Sequence, residues 1–153
     1  MMVRFHGTLS EQSIFFRYAG QFKISQRVAH ERLSRLCFID YDHEMALVAE
    51  REDPASGESE IIAVGRLMKM HDTGDGEVAL LVSDAHQGQG LGTELVRRLV
   101  QIGRDEGLQR LLAVMLRQNQ VMQQVCRKLG FDAVPSDDLT DPMIQAVKLL
   151  SRP

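Results

Sequence analysis

Runs of lysine or arginine are absent from this 153-residue sequence, and its formal net charge is −3. A protein that binds a phosphate backbone concentrates positive charge on one surface, so we expect no nucleic-acid partner. No apolar stretch approaches the roughly 20 residues that span a membrane, and the first ten residues lack the hydrophobic segment of a secretion signal. We therefore expect a cytoplasmic protein with no membrane partner.

Cysteine and histidine are few and scattered. Cys37 and Cys126 lie far apart in sequence and form no CxxC pair, which suits a reducing compartment. The five histidines form no HExxH pattern. The sequence therefore predicts no metal site.

The composition suits one globular domain over residues 1–153, because 44% hydrophobic and 25% charged residues at this length permit a sizeable core. Apolar spacing predicts two helices within residues 9–36, capped by Ser10 and Ser25 and separated by Gly20. Strand patterns then alternate with turns and, in the second half, with helix patterns. The predicted strands cover 43–52, 61–70, 77–84, 111–116, 131–134 and 144–149, and the later helices cover 91–105 and 118–129.

Three glycines at alternate positions stand between a predicted strand and a predicted helix, in the stretch SDAHQGQGLGTELVRRL of residues 83–99. Backbone N–H groups there can converge on an anion at the positive end of the helix dipole. No lysine follows as a Walker loop requires, and Gly88, Gly90 and Gly92 do not have the Gly-x-Gly-x-x-Gly spacing of a dinucleotide site. The residues alone leave two alternatives, an anion-binding loop and a glycine-rich turn with no ligand.

Two motifs resemble those of the GNAT acetyltransferases. The first is the family's Gln/Arg-x-x-Gly-x-Gly/Ala loop for the acyl-CoA diphosphate, matched by Gln87, Gly88, Gln89, Gly90, Leu91, Gly92 and Thr93. The second is an Asn-x-x-Ala…Lys-Leu-Gly-Phe helix and strand, matched by Asn119, Met122 and Lys128–Phe131. The resemblance implies an α+β fold of about four helices and a mixed, mostly antiparallel sheet of six to seven strands, splayed between its two central strands.

The same resemblance implies acetyl-CoA as co-substrate. Backbone groups around Leu80, Leu81 and Val82 would bind the pantetheine arm and polarise the thioester carbonyl. Asn119 would contact the ligand, alone or while also capping a helix, and Met122 would form pocket wall or core. Many relatives carry a tyrosine acid where this sequence has Cys126, which leaves three alternatives: a weak thiol donor, a thiol that carries an acyl group, or a packed core residue.

A narrower likeness joins residues 9–18 and 39–49 to bacterial protein lysine acetyltransferases that modify acyl-CoA synthetases. Many of those proteins carry a long synthetase-like region before this domain. We expect this chain to be either an excised domain or a single-domain relative, acting as a monomer or a homodimer. The implied acceptor is a lysine of a metabolic enzyme such as an acyl-CoA synthetase.

Acetylation of a lysine requires a base, because its amine has a pKa of ~10.4 and releasing the proton near neutral pH costs about 4 to 5 kcal/mol. The resembling enzymes place a glutamate on the strand before the loop, and Glu77 occupies that strand here. The alternative role for Glu77 is a solvated charge at the strand end. The acceptor-groove candidates are Arg17, Tyr41 and Glu44.

Three other functions remain compatible with the sequence. A small-molecule amine could be the acceptor, because the glycine loop specifies the donor alone. A non-catalytic acyl-CoA sensor would keep residues 87–93 and need no base. An interaction module with an empty glycine turn would bind no acetyl-CoA at all.

Overall fold

The computed structural model describes residues 1–20 and 23–150. The helices in these ranges are α1 (Met2–Gly7), α2 (Glu11–Tyr18), α3 (Ile24–Arg27), α4 (His30–Cys37), α5 (Leu91–Asp105) and α6 (Gln120–Lys128). The strands are β1 (Glu44–Glu52), β2 (Ser59–Lys69), β3 (Asp75–Val82), β4 (Arg110–Leu116), β5 (Asp132–Ala133) and β6 (Met143–Leu149). None of these helices has the length and apolar composition that crossing a bilayer demands.

The six strands form one sheet in the order β1-β2-β3-β4-β6-β5. Every neighbouring pair is antiparallel except β3 and β4, which are parallel. A parallel pair needs a crossover connection, and α5 supplies it between these two strands. The predicted mixed, mostly antiparallel sheet is confirmed, with six strands in the described residues.

The two central strands separate after a short paired segment. β3 pairs with β4 only where Asp75–Glu77 faces Arg110–Leu112. Arg110 closes this paired end by donating from Nε and Nη2 to the carboxylate of Asp75 at 2.9 and 2.6 Å. Beyond it, β3 continues against β2 while β4 continues against β6, so a gap opens between them. The predicted splay is confirmed.

The sheet carries a hydrophobic cluster on each face. On one face, buried side chains of α5 and α6 pack with those of the central strands, among them Val96, Leu99, Leu111, Val125 and Phe131. On the other face, α1 and α2 pack on β2 and β3 through Phe5, Leu9, Ile14, Val64 and Leu81. The second cluster holds the N-terminal helices beside the splay.

The N-terminal helices differ from the prediction. Ser10 caps α2 as expected, accepting the N–H of Ser13 at 3.1 Å. The prediction that Ser25 caps the second helix is wrong, because Ser25 lies inside α3, whose cap is Lys23. The second predicted helix is divided into α3 and α4, and α1 was not predicted because its six residues are too few to show a period. Residues 21 and 22 of the predicted segment lie outside the described residues.

His6, which lies in α1, makes the stability of the protein depend on pH. It is 1% exposed, and burial together with the charges of Arg32 and Arg27 lowers its pKa from 6.5 to about 4. The unfolded chain therefore gains the proton first as the pH falls, and the free energy of unfolding decreases from pH 6.5 to about pH 4. The full decrease is about 3 kcal/mol.

Urea unfolding at about pH 7 and about pH 4.5 measures this dependence. We expect the loss of stability between the two pH values to be clearly smaller in His6→Gln than in the wild type. The control is His30→Gln, which changes an exposed histidine of α4. An unchanged pH dependence in His6→Gln would contradict the assignment.

Candidate active site

The gap between β3 and β4 opens into a cleft of about 490 Å³. β3 forms one wall, β4 and the start of α6 form the other, and α2 closes one side. The structure brings eight of the predicted site residues to this cleft: Arg17, Glu77, Leu80, Leu81, Val82, Gln87, Asn119 and Met122.

Backbone groups of β3 face the cleft at alternate positions. Ser83 N–H donates to the Ile62 carbonyl at 2.8 Å, and the Asp75 carbonyl accepts from Met70 at 2.9 Å. Because an antiparallel ladder bonds every second residue to the same neighbour, the odd-numbered residues of β3 bond to β2. The main-chain groups of Leu80 and Val82 therefore point into the gap, whereas those of Leu81 point to β2.

The glycine loop adopts the conformation that its sequence favours. Gly88 and Gly90 have φ angles of +72° and +83°, where a side chain would be strained, and open space surrounds both. A Cβ on Gly92 would lie 2.7 Å from Cδ2 of Leu80, so this glycine lets the first turn of α5 approach β3 closely. Within residues 1–20 and 23–150, the main-chain N–H groups of residues 88–93 donate no hydrogen bond.

These free donors stand at the positive end of a 15-residue helix, immediately after Gln87 at the cleft. Converging N–H groups and the helix dipole favour an anion at such a position. The predicted loop residues therefore lie beside the cleft and are not part of its lining, with their N–H groups at a position that favours an anion: Gly88, Gln89, Gly90, Leu91, Gly92 and Thr93.

A hydrogen-bonded junction fixes the loop to α2. Oδ1 of Asp84 accepts from the Ser10 N–H and from the Ser13 hydroxyl, both at 3.0 Å. Nε2 of Gln87 donates to the Ser13 hydroxyl at 3.0 Å and to the Val82 carbonyl at 3.1 Å. The sequence did not predict this junction, because its contacts with Ser10 and Ser13 join residues more than 70 positions apart.

Glu77 stands at the last paired position of β3, where the splay begins. It is half-buried and lines the cleft. The register of β2 and β3 is continuous, so Glu77 shares its face with Ala79 and Leu81, the face covered by α1 and α2. No other described residue forms a hydrogen bond or an ion pair with the Glu77 carboxylate, which leaves it available to a ligand.

Asn119 and Cys126 lie on the same helix in different surroundings. The Asn119 side chain caps α6 by accepting the N–H of Met122 at 3.1 Å, and it lines the cleft. Cys126 is 2% exposed within the core, and burial raises the pKa of its thiol to about 11. Its position corresponds to the packed-residue alternative, since the thiol does not line the cleft.

Two of the three acceptor-groove candidates lie away from the cleft. Arg17 lines it, but Tyr41 is 69% exposed in the turn before β1. Glu44 forms an ion pair with Arg66 and is absent from the cleft lining. Sequence reasoning missed lining residues that carry no motif, among them Gln12, Ser13, Phe16, Tyr18, Asp84, Met115 and Met143.

Within the described ranges, no three histidine, cysteine, aspartate or glutamate side chains gather as a metal-binding group. The charged groups that line the cleft are the carboxylates of Glu77 and Asp84 and the guanidinium of Arg17, beside main-chain amides and an apolar wall. The Asp84 carboxylate already accepts from Ser10 and Ser13.

The chain is similar to a known family of proteins and to individual proteins of known sequence. The family described as Acetyltransferase (GNAT) family matches residues 12–131. Acetyltransferase PA5475 from Pseudomonas aeruginosa is 30% identical over 147 residues, which cover 95% of this chain and 76% of that protein. A rice protein named "Probable glucosamine 6-phosphate N-acetyltransferase 2" is 38% identical over 86 residues, covering 50% of this chain and 51% of that protein.

Solved structures show the same fold. The GNAT domain of S. lividans PAT superposes with a TM-score of 0.81 at 25% identity, covering 97% of this chain and 82% of that chain. A domain from Methanocaldococcus jannaschii superposes with a TM-score of 0.73 over 97% of this chain and 92% of that chain. The second protein is 14% identical, so this likeness concerns the fold alone.

Proposed function

This chain belongs to the GNAT acetyltransferase family, and from that premise we propose that it transfers an acetyl group from acetyl-CoA directly to an amine in a ternary complex. The observation that carries the proposal is that the N–H groups of residues 88–93 donate to no described residue and lie beside a splayed cleft. The N–H groups offer a binding site for a diphosphate, and the cleft offers one for the extended arm attached to it.

The donor site uses main-chain groups. Amides of residues 88–93 bind the diphosphate, and Gly92 permits the close approach of α5 to β3 that brings them to the cleft. Leu80 and Val82 present the main-chain groups that bind the pantetheine arm and polarise the thioester carbonyl. Asn119 and Met122 border the same opening from α6.

Glu77 is the general base of this mechanism. The incoming amine arrives protonated, and the Glu77 carboxylate takes its proton directly or through a water before the nitrogen attacks the thioester carbon. Its position at the start of the splay supports the role, because that is where the open cleft meets the face covered by α1 and α2. The thiolate of CoA then leaves without an acid from Cys126.

We propose a protein lysine as the acceptor, on an enzyme such as an acyl-CoA synthetase. The support is the likeness of residues 9–18 and 39–49 to bacterial protein lysine acetyltransferases, together with the extent of the superposition on the S. lividans PAT domain. A small-molecule amine is the second candidate, and the name of the rice relative favours it.

Acetyl-CoA is expected to stabilise the protein against heat. At a ligand concentration about 100-fold above Kd the gain is about 2.7 kcal/mol, which raises the Tm by roughly 5–10 °C for a chain of this size. Acetyl-pantetheine lacks the diphosphate and should produce a much smaller shift. Equal shifts with both compounds would count against the loop as the diphosphate site, and no shift with either would leave the interaction module as the better function.

The acceptor is tested by incubation with acetyl-CoA and candidate acyl-CoA synthetases, followed by mass spectrometry of acetylated lysines. Small amines, glucosamine 6-phosphate among them, form the second arm of the assay. Acetylation of protein lysines alone supports the first acceptor class, acetylation of small amines alone supports the second, and binding without any transfer supports a sensor.

A further inference from the structure

Arg17, which is half-buried, differs from Arg27 and Arg66, the two buried arginines among the described residues. Arg66 forms an ion pair with Glu44 and donates to the Leu36 carbonyl. Arg27 donates to the carbonyls of His6 and Leu9 at 3.5 and 3.1 Å. Both guanidinium groups therefore have structural partners inside the protein.

The Arg17 guanidinium has no such partner among residues 1–20 and 23–150. The side chain is half-buried and lines the cleft. Its Cζ lies over the face of the Tyr18 ring, 4.8 Å from the ring centroid. Burial is the largest influence on the pKa of this group and lowers it. A partly desolvated cation with five donors and no acceptor favours an anion that arrives with a ligand.

Two further arginines, Arg32 and Arg66, stand in the surroundings of Arg17. Arg32 also stacks on the Tyr18 ring, with Cζ 4.5 Å from the centroid. Arg66 and Arg17 both line one small cavity. One internal carboxylate, that of Glu44, is already paired with Arg66. Glu44 therefore already has an ion-pair partner other than Arg17.

Glu77 and Arg17 line the same cleft without forming an ion pair with each other. The negative charge of Glu77 acts on the Arg17 guanidinium in the direction that raises its pKa, against the larger effect of burial, which lowers it. A ligand that carries an ammonium and a carboxylate a short distance apart complements these two side chains, because its ammonium suits Glu77 and its carboxylate suits Arg17.

We propose that the acceptor carries a carboxylate close to its reactive amine, and that Arg17 binds this carboxylate while the amine faces Glu77. This inference rests on the proposed function and specifies its substrate class. In a protein acceptor the carboxylate is the side chain of an aspartate or glutamate beside the lysine. In a small acceptor it is the carboxylate of the amino acid itself.

The experiment compares binding to the protein–CoA complex by calorimetry within two matched pairs of probes. One pair is a short peptide with a lysine flanked by glutamates and the same peptide with glutamines. The other pair is 4-aminobutyrate and its amide. We expect the carboxylate-bearing member of at least one pair to bind at least about tenfold more tightly, as a charge-assisted bidentate contact predicts. The pair that shows the preference identifies the source of the carboxylate.

The variants test whether Arg17 produces the preference. Arg17→Met keeps much of the side-chain volume without the charge and should abolish the preference, and Arg17→Lys should retain part of it. The control is Arg51→Met, which removes an arginine that pairs with Glu60 in the β1–β2 hairpin and does not line the cleft. Retention of the acetyl-CoA thermal shift by Arg17→Met shows that the variant is folded.

Equal binding within both pairs by the wild-type protein would overturn the inference, as would a preference that survives in Arg17→Met. If Arg17→Met does not fold, the inference is tested by the preference of the wild-type protein for the carboxylate-bearing probe and by its decrease in Arg17→Lys. An undiminished preference in Arg17→Lys would then contradict the inference. Failure of the inference and failure of the proposed function can be distinguished, because the preference for a carboxylate is measured as binding and acetyl transfer is measured in a separate assay. A preference without transfer supports the site and contradicts the enzyme.

Discussion

Glu77→Gln is expected to lower kcat/KM for acetyl transfer by about 10²-fold or more at neutral pH, because the glutamine cannot accept the proton of the incoming ammonium. The side chain keeps its size and its place on β3, so the acetyl-CoA thermal shift should not change. The rate of the variant should rise about tenfold per pH unit as free amine becomes available, up to the amine pKa of ~10.4. Initial rates over a range of pH measure both effects.

The control for this variant is Glu52→Gln, which neutralises an exposed glutamate at the end of β1. It should leave both kcat/KM and the pH profile at wild-type values. Wild-type turnover in Glu77→Gln would remove Glu77 from the role of base and leave a solvated strand-end charge as its better description.

Gly92→Val is expected to impair the donor site through packing alone. A Cβ at position 92 meets Cδ2 of Leu80 at 2.7 Å, and a branched side chain adds two further carbons to that contact. Either Leu80 turns away within the cleft that it lines, or the first turn of α5 moves away from β3. Both changes disturb the alignment of the loop amides with the cleft, so we expect KM for acetyl-CoA to rise about tenfold or more, with overpacking lowering stability by about 1–3 kcal/mol.

Steady-state kinetics and urea unfolding test the expectation. The matched control is Gly7→Val at the end of α1, where no atom lies within 4 Å of an added Cβ. That variant should keep the wild-type KM. A normal KM in Gly92→Val would mean that the contact between α5 and β3 does not position the donor site.

The glycine loop illustrates what local sequence predicts well. Its backbone depends on φ angles that favour glycine, and Gly88 and Gly90 adopt them. The helix after the loop shows its amphipathic period in consecutive residues, and its observed bounds, Leu91–Asp105, equal those predicted. The Ser10 cap was predicted for the same reason, since its partner Ser13 lies three residues away.

Residues brought together over long distances were not predicted in the same way. Tyr41 and Glu44 lie near one another in sequence and were expected in the acceptor groove, but the β1–β2 ladder directs Glu44 to Arg66 and leaves Tyr41 in an exposed turn. The junction of Asp84 with Ser10 and Ser13 leaves no signal in either segment, because hydroxyls and carboxylates at helix starts are ordinary capping residues.

By itself, the sequence determined the order of helices and strands from residues 43 to 150 and the backbone of the glycine loop, because each depends on backbone preferences and periodicities within a few consecutive residues. The family was indicated by the resemblance of two short motifs and is shown by the match over residues 12–131. Only the tertiary structure decided that Leu80 and Val82 present their main-chain groups to the cleft, that Cys126 is buried away from it, and that Arg17 shares it with Glu77. Those outcomes depend on strand register and on which face each helix covers, and both are set by packing between segments far apart in the chain.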